Sequence, residues 1–140
     1  MTNMVRILFT GASLSSDNKG APAIISGAIK AISEFVPNAE FIVVPKRKRY
    51  DEKLAKRYGA KVAKIRIPKS RYKRVLIKRI DLLREFKKAD IIVDVSGISF
   101  TDYDKVKRII LKAMPILLAE MVDKPIVKYT QAMGPFKRKI

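Results

Sequence analysis

Three short stretches of this chain hold most of the side chains suited to binding or proton transfer. The first, residues 11–20, reads GASLSSDNKG and offers Asn18 as amide donor and acceptor, Lys19 as a cation, and Gly20 at the mouth of a helix. Two local readings are open. The first amides of that helix can hold an anion beside Lys19, or Asp17 or Asn18 can cap them. The second stretch, DVSGISFTD at residues 94–102, carries the carboxylates Asp94 and Asp102, the candidate proton acceptors, with Ser96 and Gly97 between them. Asp94 sits in an otherwise apolar run, where an unpaired carboxylate is costly. It must pair with a cation or an amide, or stand at the strand's end facing a cleft. Asp104 suits the cap of the next helix, and Asp102 can serve as base or cap. The third stretch, QAMGPF at residues 131–136, adds Gln131 and a Gly134-Pro135 turn.

What the chain lacks narrows the chemistry. Its 140 residues contain neither cysteine nor histidine, which excludes disulfides, thiolate metal sites and every Ser-His or Cys-His arrangement. Catalysis would rest on carboxylates, hydroxyls, amides, Lys, Arg or the backbone. Neither GxGxxG nor GxxxxGK[ST] occurs, so a dinucleotide or P-loop site is not indicated and no cofactor is implied. Residues 1–9 are too short for a signal peptide, and the longest apolar stretch, residues 114–119, is far below the ~20 residues of a membrane span. The expected location is cytoplasmic.

The net charge is +18, gathered at residues 46–49, 69–79 and 137–139. Such a surface suits a polyanion, an anionic membrane or an acidic partner subunit. Aromatic residues are not interleaved with the cations and no helix-turn-helix or RNA-binding signature appears, which disfavours nucleic acid.

The elements that must position the three stretches alternate along the chain. Residues 5–10, 41–44, 61–67, 91–95 and 125–129 read as strands, 61–67 as an edge because charged and apolar residues alternate. Helical spacing joins Ile25, Ala28, Ile29, Ile32 and Val36, so residues 21–36 form a helix. Asp51 can cap a short helix that Gly59 ends, and Tyr72, Val75, Leu76, Ile80 and Leu83 mark a third, whose outer face is basic. Val106, Ile109, Ile110 and Ala113 begin a fourth, which Pro115 should interrupt, or beyond which it should open a second helix ending near Val122. Strictly alternating strands and helices predict one Rossmann-like, doubly wound parallel sheet over residues 1–140, in the order 3-2-1-4-5. The three stretches then follow strands one, four and five. The first two should face one another where the strand order reverses.

In this order and spacing the chain resembles the polysaccharide pyruvyl transferase family. The segment NKGAPAI at residues 18–24 resembles the family's N-x-G-[DA]-x-A pattern. ADIIVDVSGISFTD at 89–102 is similar to its AD-apolar-GGxxF-D segment, and KPIVKYTQAMGPF at 124–136 to its KPvvxxxQsxGPF segment. The resemblance implies transfer of a pyruvyl group from phosphoenolpyruvate to a sugar hydroxyl of a cell-surface polysaccharide. It also implies two Rossmann-like domains facing across a cleft, as in glycosyltransferases of the B type. This chain corresponds to the N-terminal one, so a second domain is expected from elsewhere and the isolated chain is expected to be inactive. By the same resemblance Asn18, Lys19, Gly20, Ser96, Gly97, Gln131 and Gly134 would bind substrate. The competing expectation is a non-enzymatic basic module for nucleic acid or anionic lipid, and a small nucleotide binder ranks below both.

Overall fold

A computed structural model describes residues 4–66, 71–99, 105–130 and 132–133. Along the chain these form β1 (Val5–Thr10), α1 (Gly20–Phe35), β2 (Ala39–Val43), α2 (Lys48–Arg57), β3 (Lys61–Val62), α3 (Arg71–Lys88), β4 (Ile91–Asp94), β5 (Ile98–Ser99), α4 (Val106–Met121), β6 (Ile126–Lys128) and β7 (Ala132–Met133). The main sheet runs β3-β2-β1-β4-β6 with every pairing parallel. This is the Rossmann-like 3-2-1-4-5 order, with β6 as the fifth strand. A second, two-stranded sheet joins β5 to β7.

Burial on both faces explains why the central strands are so apolar. Ile7, Phe9, Phe41, Val43 and Val93 pack under Ile25, Ala28 and Ile29 of α1 and Ala55 of α2. On the opposite face Leu8, Ile42 and Ile92 pack under Phe86 of α3 and Leu118 and Ala119 of α4. Each such large side chain removed from water contributes about 1.5–3 kcal/mol.

Element ends shift by a residue or two, and two expectations change more. The edge strand predicted over residues 61–67 pairs only through Lys61 and Val62. Burial still alternates beyond it, with Ala63 and Ile65 inside and Lys64 and Arg66 outside; Ala63 N–H still donates to the Val43 carbonyl of β2, but the later amides turn elsewhere. Ile65 N–H donates to the Ala63 carbonyl and Arg66 N–H to the Asp81 carboxylate. The alternation therefore reported burial, not pairing, and residue 67 lies outside the described residues. Pro115, expected to interrupt the fourth helix, lies inside a continuous α4. Proline withholds a single amide, and the helical bonds on either side carry the helix through. Gly59 does end α2, as expected, with Gly59 N–H bonded to the Lys56 carbonyl and Ala60 N–H to that of Ala55, the paired bonds of a Schellman motif.

Charge also fastens α3 to the sheet. Asp81 is buried and its carboxylate accepts from Arg66 Nε at 2.9 Å and Nη2 at 2.8 Å. The Arg66 side-chain and backbone hydrogen bonds hold the Asp81 carboxyl at about 2, below the usual carboxylate range. Because this pKa is lower folded than unfolded, its stabilisation is complete above about pH 4 and is lost as pH falls through about 2. Asp81→Asn should therefore lower the melting temperature at neutral pH, and the gap from the parent should close on acidification from pH 4 to 2. Thermal melts across that range check it.

Candidate functional site

Because all main-sheet strands run parallel, the loops after β1, β4 and β6 leave from one edge. Register aligns Thr10 with Asp94 and Asp94 with Lys128, so these three lie in one row across that edge. Asp94 is fully buried. Its Oδ2 accepts from Lys128 Nζ at 2.5 Å and its Oδ1 from the Ser96 amide at 3.1 Å. Of the open alternatives the structure selects pairing, to a cation and an amide together, at the end of the strand.

The same carboxylate sets the exit of the first loop. Gly11 has φ +84°, and a Cβ built there would stand 2.1 Å from Asp94 Oδ1 and 2.8 Å from the Ser96 nitrogen. Only glycine lets the β1 loop pass this close. Gly97 also has positive φ, and its amide donates to the Val95 carbonyl at 2.9 Å, which makes the tight exit expected after β4.

Residues from both loops line a cleft of about 310 Å³, among them Gly11, Ser16, Asn18, Gly20, Ser96 and Gly97. The two stretches expected to face one another do so. The volume is near the lower end for small-molecule pockets. A second cavity of about 310 Å³ lies beside it, between Gly11, Ser13, Ser16, Val44, Pro45 and Lys46. The Ser13 hydroxyl is buried there without a hydrogen-bond partner.

The helix mouth answers the other open question. Asn18 Oδ1 accepts from the Gly20 amide at 3.0 Å, and the Asn18 carbonyl accepts from Ala21. Pro22 has no amide, and Ala23 N–H bonds to the Lys19 carbonyl. The N-cap is Lys19, which makes no side-chain cap bond, and the first amides of α1 are satisfied within the chain by the Asn18 side chain and the Asn18 and Lys19 carbonyls, so they are not left for an anion. Lys19 remains exposed on the loop. The cleft therefore presents hydroxyl and amide groups above a carboxylate already neutralised by lysine.

Sequence reasoning missed two connections. Asp51, expected only as a cap, is fully buried and accepts four hydrogen bonds. They come from the Ser15 amide and hydroxyl, each at 2.8 Å, and from the amides of Lys46 at 2.9 Å and Arg47 at 2.8 Å. It caps α2 from inside the helix and ties the β1 loop to the β2 loop. The one available signal was an acid, Asp51, following four consecutive basic residues and a tyrosine. The Arg47 and Lys46 side chains in turn reach Asp17 at 3.1 and 3.9 Å, so part of that basic patch is paired. The second connection is the β5–β7 ladder, which pairs Ile98 with Ala132 and Ser99 with Met133 and so ties the second loop to the third. Thr130 enters that third loop with φ +53°, an outlier for a β-branched residue.

Asp102, Gln131 and Gly134 lie outside the described residues, as does Asp104. Among the described residues no group of acids or other ligands could hold a metal ion, and no helix is long and apolar enough to cross a membrane. Compared with known proteins, the chain matches no family model, no curated protein and no solved structure.

Proposed function

We propose that this chain is a pyruvyl-transferase-like domain whose cleft receives the sugar acceptor, with phosphoenolpyruvate held mainly by an opposing domain. One observation carries the reading: the loops after β1 and β4, which bear two of the three family-like segments, meet in a single cleft at the strand reversal. The lining decides which substrate. A phosphoenolpyruvate trianion calls for converging cations and unclaimed amides, whereas here the α1 amides are spent on Asn18 and Lys19. Serine hydroxyls and the asparagine amide match the donors and acceptors of a sugar ring.

In this reading Asp94 is a positioning group, because burial and its bond to Lys128 leave it no route to a substrate hydroxyl. Asp102 is the proposed base for the sugar hydroxyl. One open half-cleft cannot set an acid and a base on opposite sides of a reacting enol ether, so the reading includes a second domain or subunit.

The test is titration of the chain, monitored by backbone amide resonances, with pooled pyranosides and separately with phosphoenolpyruvate. Sugars should shift resonances of residues 11–20 and 95–97, and Ser96→Ala should weaken that binding roughly tenfold, the loss of about one hydrogen bond. Phosphate release from phosphoenolpyruvate should stay at background. Turnover by the chain alone, or tight phosphoenolpyruvate binding without sugar binding, overturns the reading.

A further inference from the structure

We propose that the outer surface of the α3–α4 layer docks on an anionic lipid bilayer, a contact separate from the cleft. A helix packed on a sheet needs one apolar face, yet α4 has two. Its inner face contributes Met114, Leu118, Ala119 and Val122 to the core. At helical spacing on the other side, Val106, Ile110, Leu117 and Met121 are 72, 53, 52 and 71% exposed. With Ile109 on its flank, the stripe runs the length of the helix, the kind of exposed apolar patch that marks an interaction site.

The neighbouring helix supplies charge of one sign. On its outward side α3 exposes Ile80, Arg84, Lys87 and Lys88. Its two acids, Asp81 and Glu85, are buried; Asp81 pairs with Arg66 and Arg84, and Glu85 with Arg6 and Lys88, so the exposed guanidinium and ammonium groups still outnumber them. Lys105 is exposed at the head of α4, and Glu120 is the sole acid in the α4 segment. The layer thus pairs exposed aliphatic side chains with a surplus of cations.

Those two properties select the occupant. Nucleic acid would engage the cations and leave the aliphatic stripe in water. A second copy would bury the stripe but bring together two chains of net charge +18, a repulsion that burial would have to overcome and that an anionic surface turns into attraction. The stripe has no tryptophan, tyrosine or arginine of the kind that anchors protein partners in pockets. An anionic bilayer uses both features, taking aliphatic side chains into the acyl boundary while lipid phosphates meet Lys and Arg, and it requires no shape match.

Co-sedimentation with extruded vesicles tests this, comparing ~30 mol% phosphatidylglycerol in phosphatidylcholine with phosphatidylcholine alone, at low and high salt. The chain should bind the anionic vesicles, and binding should weaken as salt rises. Ile110→Ser with Leu117→Ser should reduce partitioning at least tenfold, as should Lys87→Glu with Lys105→Glu. All four side chains are exposed, so melting temperatures should hold. Sedimentation equilibrium without lipid provides the opposing arm. Absence of vesicle binding, binding indifferent to both double variants, or a dimer abolished by Ile110→Ser with Leu117→Ser would overturn the proposal. None of these readouts depends on sugar binding at the cleft, so the two proposals fail separately.

Discussion

Gly11→Ala should cost about 2–5 kcal/mol, from a left-handed backbone forced on alanine together with overpacking against a buried ion pair. The added Cβ would overlap Asp94 Oδ1 at 2.1 Å and crowd Ser96 Cβ at 2.7 Å. Neither can yield cheaply. Asp94 is held by Lys128 and by the Ser96 amide, so moving the carboxylate breaks a buried pair or shifts the β4 loop. Urea unfolding of Gly11→Ala, Asp94→Ala and the double variant measures the coupling. Removing the Asp94 carboxylate removes the closest clash, so the double variant should be more stable than the sum of the single losses predicts. Additive losses would mean that Gly11 and Asp94 do not meet. The same variant should lose sugar binding, because Gly11 lines the cleft between both loops.

Asp51→Ala should destabilise by about 3–5 kcal/mol, although Asp51 lies outside the cleft. Four donors converge on this one carboxylate, three of them backbone amides that no rotamer change can redirect. Alanine leaves them without the acceptor that the fully buried Asp51 side chain supplies. Asp51→Asn is the sharper comparison. It keeps the volume and one acceptor oxygen, yet turns an NH2 group toward donors, so it should rescue little. Urea unfolding gives the magnitude, and hydrogen exchange at Ser15, Lys46 and Arg47 gives the location. Protection at those three amides should fall together in both variants, since one carboxylate holds the β1 loop and the start of α2. If Asp51→Asn matches the parent, the carboxylate is not the junction of the two loops.

The fold was legible because its governing forces are local or statistical. The branched apolar runs at residues 7–9 and 91–93 are best satisfied by strands covered on both faces. The helical spacing of Ile25, Ala28 and Ile29 admits one buried face, which the structure places against the sheet. Right-handed crossovers then left a single simple strand order, and with it the edge where the loops after β1 and β4 meet. That the α1 amides find a partner in Asn18 was visible as one of two local choices, because the bond joins residues two positions apart, although the cap position itself is Lys19.

Tertiary structure decided what joins residues far apart in sequence. Alternation at residues 61–66 could not reveal that pairing stops at Val62, since burial and hydrogen bonding part company where Asp81 takes the Arg66 amide. Pro115 reads locally as a break, yet packing of Met114 and Leu118 on the sheet outweighs one missing amide bond. Asp51 lies 36 residues from Ser15, and Asp94 lies 34 from Lys128. Composition at either position shows only an acid, and strand register together with loop approach supplies the partner. The sequence by itself determined the five strands of the main sheet, their order and the edge on which the loops gather, but not the β5–β7 ladder. Only the folded chain decided which charges neutralise one another there, because a carboxylate's partner is set by distance in space and the desolvation that enforces pairing exists only once the core has closed.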